Sequence, residues 1–512
     1  MAEPIAIPRR EFRLVLAGLM LALMLAALDQ NIVSTALPRI VSELGGLAHL
    51  SWVVTAFMLT STTTTLLYGK LSDLYGRKPL FVVAILLFLM GSALCGVAGT
   101  MTGLILSRGV QGLGAGGLIT LAQTTVSDFV EPRERGRYQG LFTGVFALCS
   151  VAGPLLGGII TDALSWRWIF YVNLPVGVGA LALILAGLRQ PRQTKHRKID
   201  YVGATLLASG TAMLLLLLSW GGVVYPWKSS WIIALGIATL ACWLLLAAQE
   251  RSAVEPVLPL KLFRNRVFVI GVAVVGLNAT AMLSASVFIP LFFQLVLGAA
   301  PTTAGLMMAP LMAGVVVASV LGGYLVSRSG RYKIYPVTGL GLSVLSFVSL
   351  AWLTGGGGRL APIEISLVTL GFGLGLVMPN LTIAIQNAVD RSDLGLATST
   401  SSFFRSLGGA IGVSLSGEIM TARLRTLLPE SFGEAGPASV LNQGLSPTSA
   451  LPASQLTVIA DAYRQAIMTT FLTGAGIAAL AFLIVLFLPE LPLRGGDMRA
   501  AHAHGSKAGS VG

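Results

Sequence analysis

Apolar stretches long enough to cross a bilayer recur along the whole chain, separated by short polar turns. They lie near residues 14–37, 49–69, 79–99, 103–126, 139–160, 168–188, 201–220, 230–248, 267–297, 303–326, 335–353, 363–388, 396–420 and 466–488. A membrane span needs roughly 20 mainly apolar residues to cross a ~30 Å hydrocarbon core, and these stretches meet that length. The pattern predicts an all-α membrane protein with fourteen transmembrane helices. Pro290 inside the ninth stretch predicts a bend or an early end there.

Charge sets the orientation. Of the 34 Lys and Arg residues, only Arg39, Arg167, Lys228, Arg359, Arg423, Arg425 and Arg464 fall in the loops of one face. Arg108 and Arg405 lie inside spans, and all the others fall on the opposite face. The positive-inside rule makes that basic face cytoplasmic, with both termini on it. Arg9, Arg10 and Arg13 precede a first stretch too long for a signal-peptide core, so a retained first helix is expected.

Composition agrees. The 512 residues are 54% hydrophobic and 11% charged, against about a quarter charged in soluble domains. A soluble enzyme is excluded. The net charge of +13 sits in loops, where topology accounts for it, so nucleic acid is not an expected partner. Cys95, Cys149 and Cys242 lie in apolar runs and the four histidines are scattered, which gives no disulfide framework, metal set or cofactor site. The chain has no phosphate-cradling loop ending in Gly-Lys-Ser/Thr, so an ion gradient rather than ATP is the expected energy source.

Gly69-Lys-Leu-Ser-Asp-Leu-Tyr-Gly-Arg-Lys78 follows the second stretch, and Gly323-Tyr-Leu-Val-Ser-Arg-Ser-Gly-Arg331 echoes it after the tenth. With the seventh and eighth helices taken as an insertion, each copy closes the second helix of a six-helix half. The expected organisation is a six-helix bundle over 1–188, a linker with two inserted helices over 189–264, a second six-helix bundle over 265–490 and a tail over 491–512. Such pseudo-repeats are typical of rocking transporters. The segment 189–200 is basic, and 421–463, rich in Pro, Ser, Gly and Ala, is an expected irregular external loop. Gly355 to Gly358 reads as a flexible external turn.

Five motifs in order carry a family resemblance. They are Leu28-Asp-Gln-Asn-Ile-Val-Ser-Thr-Ala-Leu-Pro38, the Gly69 to Lys78 loop, Leu104-Ile-Leu-Ser-Arg-Gly-Val-Gln-Gly-Leu-Gly-Ala-Gly116, Gly153-Pro-Leu-Leu-Gly-Gly158 and Trp166-Arg-Trp-Ile-Phe-Tyr-Val-Asn-Leu-Pro-Val-Gly177. Together they resemble the fourteen-helix drug:proton antiporters of the major facilitator superfamily. Cys149 departs from the glycine that opens the fifth-helix motif, and Ser327 replaces the acid of the second-half loop. The resemblance implies the major facilitator fold and alternating access in a cell (inner) membrane. It also implies that Asp73 meets a helix N-terminus of the other half while Arg77 bridges to Asp128, with Gly69 and Gly76 allowing close approach and a tight turn.

Asp29 lies about 12 Å below the external end of the first helix, counted at 1.5 Å per residue. A carboxylate held that deep takes up and releases protons. Arg108 enters the fourth helix at a similar level, with Gln111 on the same face. Asp29, Arg108 and Gln111 are therefore the expected proton-coupling set, with the cationic cargo and the proton using one carboxylate alternately; a structural clamp is the plain alternative. Gly153, Pro154, Gly157 and Gly158 predict a bent fifth helix that a neighbour approaches closely. Asn278, Gln294, Asn380, Gln386, Asn387 and Glu418 are polar positions of the second half that are expected to line a cargo cavity or its rim. The expected activity is proton-coupled export of diverse lipophilic or cationic small molecules by a monomer. A dedicated exporter of one lipid, siderophore or antibiotic is the alternative, and a non-transporting sensor or scaffold the third reading. A periplasmic adaptor would join as a partner only in a Gram-negative host.

Overall fold

The computed structural model describes residues 8–45, 50–131, 134–188, 200–222, 225–253, 257–258, 260–299, 301–356, 360–390, 393–427 and 453–493. The basic segment 189–199, most of the 421–463 loop, Gly357 and Gly358, and the tail with its histidines lie outside the described residues.

Helices dominate in the order α1 (Arg9–Leu44), α2 (Leu50–Tyr75), α3 (Arg77–Gly96), α4 (Met101–Phe129), α5 (Arg135–Ala163), α6 (Trp168–Tyr171), α7 (Asn173–Gly187), α8 (Tyr201–Trp220) and α9 (Ser230–Ser252). A short 3-10 turn at Leu260–Arg264 leads into α10 (Arg266–Leu295), α11 (Pro301–Leu306), α12 (Ala309–Ser329), α13 (Ile334–Gly355), α14 (Leu360–Asn387), α15 (Leu394–Leu427) and α16 (Ala453–Leu486). Every predicted stretch is helical. Among the described residues, twelve spans are long and apolar enough to cross a membrane, which makes this a multi-pass membrane protein.

The two stretches that miss that threshold are α2 and α15. Each carries a hydroxyl run, Thr60 to Thr65 and Thr398 to Ser402, that dilutes its hydropathy. Both runs belong at the seam, because α2 and α15 pack against each other and Gly69 meets Ser399 there.

Several boundaries differ from the sequence expectation. The sixth stretch breaks at Val172 into α6 and α7, and the tenth breaks at Met307 and Met308 into α11 and α12. Pro290 neither ends α10 nor shortens it, since that helix continues to Leu295. α15 extends to Leu427 and α16 begins at Ala453, both inside the bounds expected of the 421–463 loop, and 428–452 lies outside the described residues.

α1 to α7 bury one large apolar cluster built around Leu19, Phe81, Phe88, Leu118 and Ile184. α10 to α16 bury two more, around Phe292, Phe347 and Phe471 and around Phe268, Leu381 and Val485. The first set of helices meets the second through α2 on α15 and α5 on α12. α8 and α9 pair as a hairpin, and α8 lies on α2 and α15 at that seam.

The loop repeat is visible in the backbone. Gly76 closes α2 with φ 90° and Gly330 closes α12 with φ 72°, a region where other residues are strained.

Candidate functional site: a buried carboxylate network beside a central cavity

Asp29 is fully buried in α1, and its carboxylate accepts three hydrogen bonds. Arg108 Nη1 of α4 donates to Oδ2 at 2.6 Å. Gln111 Nε2 and Asn173 Nδ2 each donate to Oδ1 at 2.8 Å. Arg108 also donates to Gln111 Oε1 at 2.7 Å and through Nε to the Val53 carbonyl at 3.3 Å. Ser92 of α3 closes the network, accepting from Asn173 at 3.0 Å and donating to the Phe170 carbonyl at 2.9 Å.

A buried ion pair is tolerable only when further hydrogen bonds support it, and here Gln111, Asn173 and the Val53 carbonyl supply them. The helices that supply them meet closely. A Cβ on Gly91 of α3 would lie 2.3 Å from the Gln111 backbone nitrogen of α4, so glycine is what lets Ser92 reach Gln111. The break at Val172 places Asn173 at the start of α7, aimed at Asp29. Asn173→Ala should therefore leave Asp29 short of one donor and cost about 1–3 kcal/mol, read as a lower thermal midpoint in detergent; an unchanged midpoint would show that the bond contributes nothing net.

The expected trio of Asp29, Arg108 and Gln111 is thus brought together. Asn173 and Ser92 were missed, although Asn173 lies inside a motif singled out in the sequence.

The second constellation sits at the basic face. Arg77 bridges Asp73 at 2.7 Å and Asp128 at 2.8 Å, and Arg77 Nη1 also donates to Ser72 Oγ. Asp73 accepts from the backbone amides of Gly395 at 3.2 Å and Leu396 at 2.9 Å. Those amides open α15, where a helix N-terminus favours negative charge. Close by, α5 touches α12 backbone to backbone: a Cβ on Gly136 would lie 2.4 Å from the Gly323 carbonyl. Ser327, at the position equivalent to Asp73, donates through its Oγ to the Tyr324 carbonyl of its own helix.

Between the halves lies a cavity of about 800 Å³. It extends from Gln123, Gln139 and Thr382 to Gln294, Gly305 and Leu306 at the far ends of α10 and α11. Gly305 and Leu306 are exposed and lie at the end of the cavity away from the basic face. Its wall mixes Phe57, Phe142 and Phe146 and the methionines Met58, Met282, Met308, Met312 and Met378 with hydroxyls and amides. Flexible thioethers and ring faces suit cargo of varied shape.

Most of the polar positions expected to line this cavity do not. Gln294 does. Asn380 donates to the Leu376 carbonyl of its own helix and packs on Gly322, Gln386 donates to Thr398, and Asn387 reaches the Pro492 carbonyl. Asn278 is buried inside its half. Glu418 turns toward Gly222 in the α8–α9 connection. Polarity within a span shows that a side chain needs a partner, not which way it faces.

Asp29 and Arg108 are not in the cavity wall either. Their neighbours Gln30 and Asn31 line it, and Phe57 stands between: the Arg108 guanidinium lies 4.1 Å above the Phe57 ring, which forms part of the wall. One carboxylate touched alternately by cargo and proton therefore does not fit this geometry. Among the described residues no Asp or Glu lines the cavity, so the cationic half of the expected cargo finds no counter-charge there.

Of the fifth-helix motif, Gly153 and Gly157 lie under α1, where a Cβ would come within 2.7 Å of Asn31 and 2.3 Å of Thr35. Pro154 lines the cavity. Gly158, by contrast, has nothing within 4 Å of its Cβ position, so it admits no neighbouring helix.

The sequence description of the Major Facilitator Superfamily matches residues 19–413. The chain belongs to that superfamily. Among curated relatives, it is 38% identical over 82% of its length to the multidrug transporter protein MdtP of Bacillus subtilis, covering 77% of that protein. It is 34% identical to multidrug resistance protein 3 of the same organism, over 93% of this chain and 95% of that one. The human organic anion transporter MFSD10 (TETRAN) shares the fold with a TM-score of 0.62 at 16% identity, over 94% of this chain and all of that one. Superfamily membership and this fold identify the chain as a membrane transporter.

Proposed function

We propose that this chain exports lipophilic small molecules from the cytoplasm of a cell, across its inner membrane, in exchange for protons. The basic face is cytoplasmic, and cargo enters there when the halves rock apart and leaves from the opposite face. The observation that carries the reading is Asp29, a carboxylate with no exposed surface held by one guanidinium and two amides. Protonating it removes the charge that holds Arg108. Phe57 links that event to cargo, because cargo pressing on its cavity face moves the ring on which Arg108 rests. The Asp73 and Arg77 contacts then hold the cytoplasmic side shut while cargo leaves, which biases the outward-open state. The relatives named as multidrug transporters support a broad cargo range.

The test uses proteoliposomes with a trapped pH indicator and a panel of unrelated lipophilic dyes. Each transported dye is expected to move protons the opposite way, and a collapsed pH gradient to stop uphill transport. Uphill movement of dye with no proton movement would overturn the exchange. Transport of one compound alone from a broad panel would replace the multidrug reading with a dedicated exporter.

A further inference from the structure

The carboxylates of the two charged clusters described above are all paired. Asp29 is held by Arg108, and Asp73 and Asp128 are held by Arg77. One charged side chain in the cavity wall is left over. Arg405, on α15, lines the cavity, and its nearest recorded contact is the ring of Phe146, with the guanidinium 5.7 Å from the ring centre. Among the described residues it has no hydrogen bond and no ion pair, and it is the only Lys, Arg, Asp or Glu in the wall.

Taking a guanidinium out of water without a partner is costly. A fixed structural arginine in this chain is paired, as Arg77 and Arg108 are. Arg405 instead faces the cavity, whose wall also holds two further groups that lack partners. Gln139 is 3% exposed and lines the same wall, and its Nε2 donor is unsatisfied. Thr120 Oγ1, fully buried and also in the wall, is unsatisfied too. The cavity thus offers a cation, an amide donor and a hydroxyl, set among aromatic rings and methionines, with no carboxylate to balance them.

We propose that Arg405 is the head-group site of this cavity and that its preferred cargo is an amphiphilic monoanion, a carboxylate or phenolate on an apolar body. The guanidinium pairs with the anionic head, Gln139 donates to it or to a neighbouring acceptor, and the phenylalanines and methionines take the apolar body. Cationic amphiphiles are disfavoured because they meet an unpaired positive charge. The proposal deepens the efflux reading above. With one proton exchanged inward per monoanion outward, both movements carry positive charge into the cell, so the membrane potential drives anion export more steeply than export of a neutral compound.

The test is binding and transport of one ring system with three heads: 1-naphthaleneacetate, its primary amide and 2-(1-naphthyl)ethylamine. Binding to the full purified chain is read by quenching of tryptophan fluorescence, and transport is read in proteoliposomes. Wild type is expected to bind the carboxylate about tenfold tighter than the amide, as a charge-assisted hydrogen bond allows, and the amine weakest. Acetate, which has the charge without the ring, should not compete at equal concentration. Arg405→Gln should bring the carboxylate-to-amide ratio to about one, and Arg405→Lys should restore part of it. An inside-negative potential imposed on the export direction should accelerate the carboxylate more than the amide. Equal binding of the three heads by wild type overturns the proposal without recourse to any variant, and so does a preference that survives in Arg405→Gln. Transport of all three heads alike would leave the efflux reading standing and remove this one; selective binding without transport would do the reverse.

Discussion

Asp29→Ala is expected to cost about 3–5 kcal/mol of stability, because it leaves a buried guanidinium without its carboxylate, and to end proton exchange altogether. The first effect is read from the thermal midpoint in detergent, the second from proton movement per dye transported. Stability loss alone would be equally consistent with a clamp between α1 and α4. The double variant Asp29→Asn, Arg108→Gln separates the two roles. It removes both charges, keeps the shape of the side chain at position 29, and leaves amides able to pair with Gln111 and Asn173. Replacing a whole buried pair is commonly near neutral where removing one partner is not. The double variant is therefore expected to regain most of the lost stability while remaining unable to move protons. A double variant that melts like wild type and still exchanges protons at the wild-type ratio would assign Asp29 to structure and send the search for the proton carrier elsewhere.

The parts of this arrangement that were legible in the sequence share one physical property: they are charges where charge is expensive. Asp29 and Arg108 stand out because an ion in a span must find a partner, and their matched depths on the first and fourth helices named it. Gln111 followed from its position one turn after Arg108. Asp73, Arg77 and Asp128 were readable through the motif they belong to. Neutral amides give no such signal. Asn173 and Asn387 look alike in the chain, yet one donates to Asp29 and the other to the carbonyl of Pro492. The cavity wall was hidden for the same reason, since its face of α2 reads as a hydroxyl run that merely weakens a span. Arg405 was the exception that could have been found: as the second arginine inside a span with no acid at its level, it already demanded an explanation. The helix breaks at Val172 and at Met307 and Met308 lie within continuous apolar stretches, and hydropathy alone does not locate them.

Gly323→Val is expected to stop turnover by preventing closure of the basic face. At Gly323 a Cβ would lie 2.0 Å from the Gly136 carbonyl oxygen and 2.4 Å from its carbon. Both are backbone atoms, so no side chain can swing away and α5 must separate from α12. Overpacking of this kind costs about 1–3 kcal/mol, which displaces a two-state equilibrium by roughly 5- to 150-fold. The penalty falls only on the state in which these backbones touch, the same state in which Asp73 reaches the first amides of α15. In a background with Cys95, Cys149 and Cys242 replaced, a single cysteine introduced by Thr143→Cys, at a part-exposed position of the cavity wall, reports the displacement. In Gly323→Val it should react faster with a membrane-impermeant maleimide added from the basic face and slower with one added from the other face. Gly158→Ala is the matched control, since its added methyl meets nothing within 4 Å, and it should label and transport as the parent does. If Gly323→Val transports at the parental rate with unchanged labelling from both faces, the contact between α5 and α12 is not part of the transport cycle, and the basic-face closure has to rest on Asp73 and Arg77 alone.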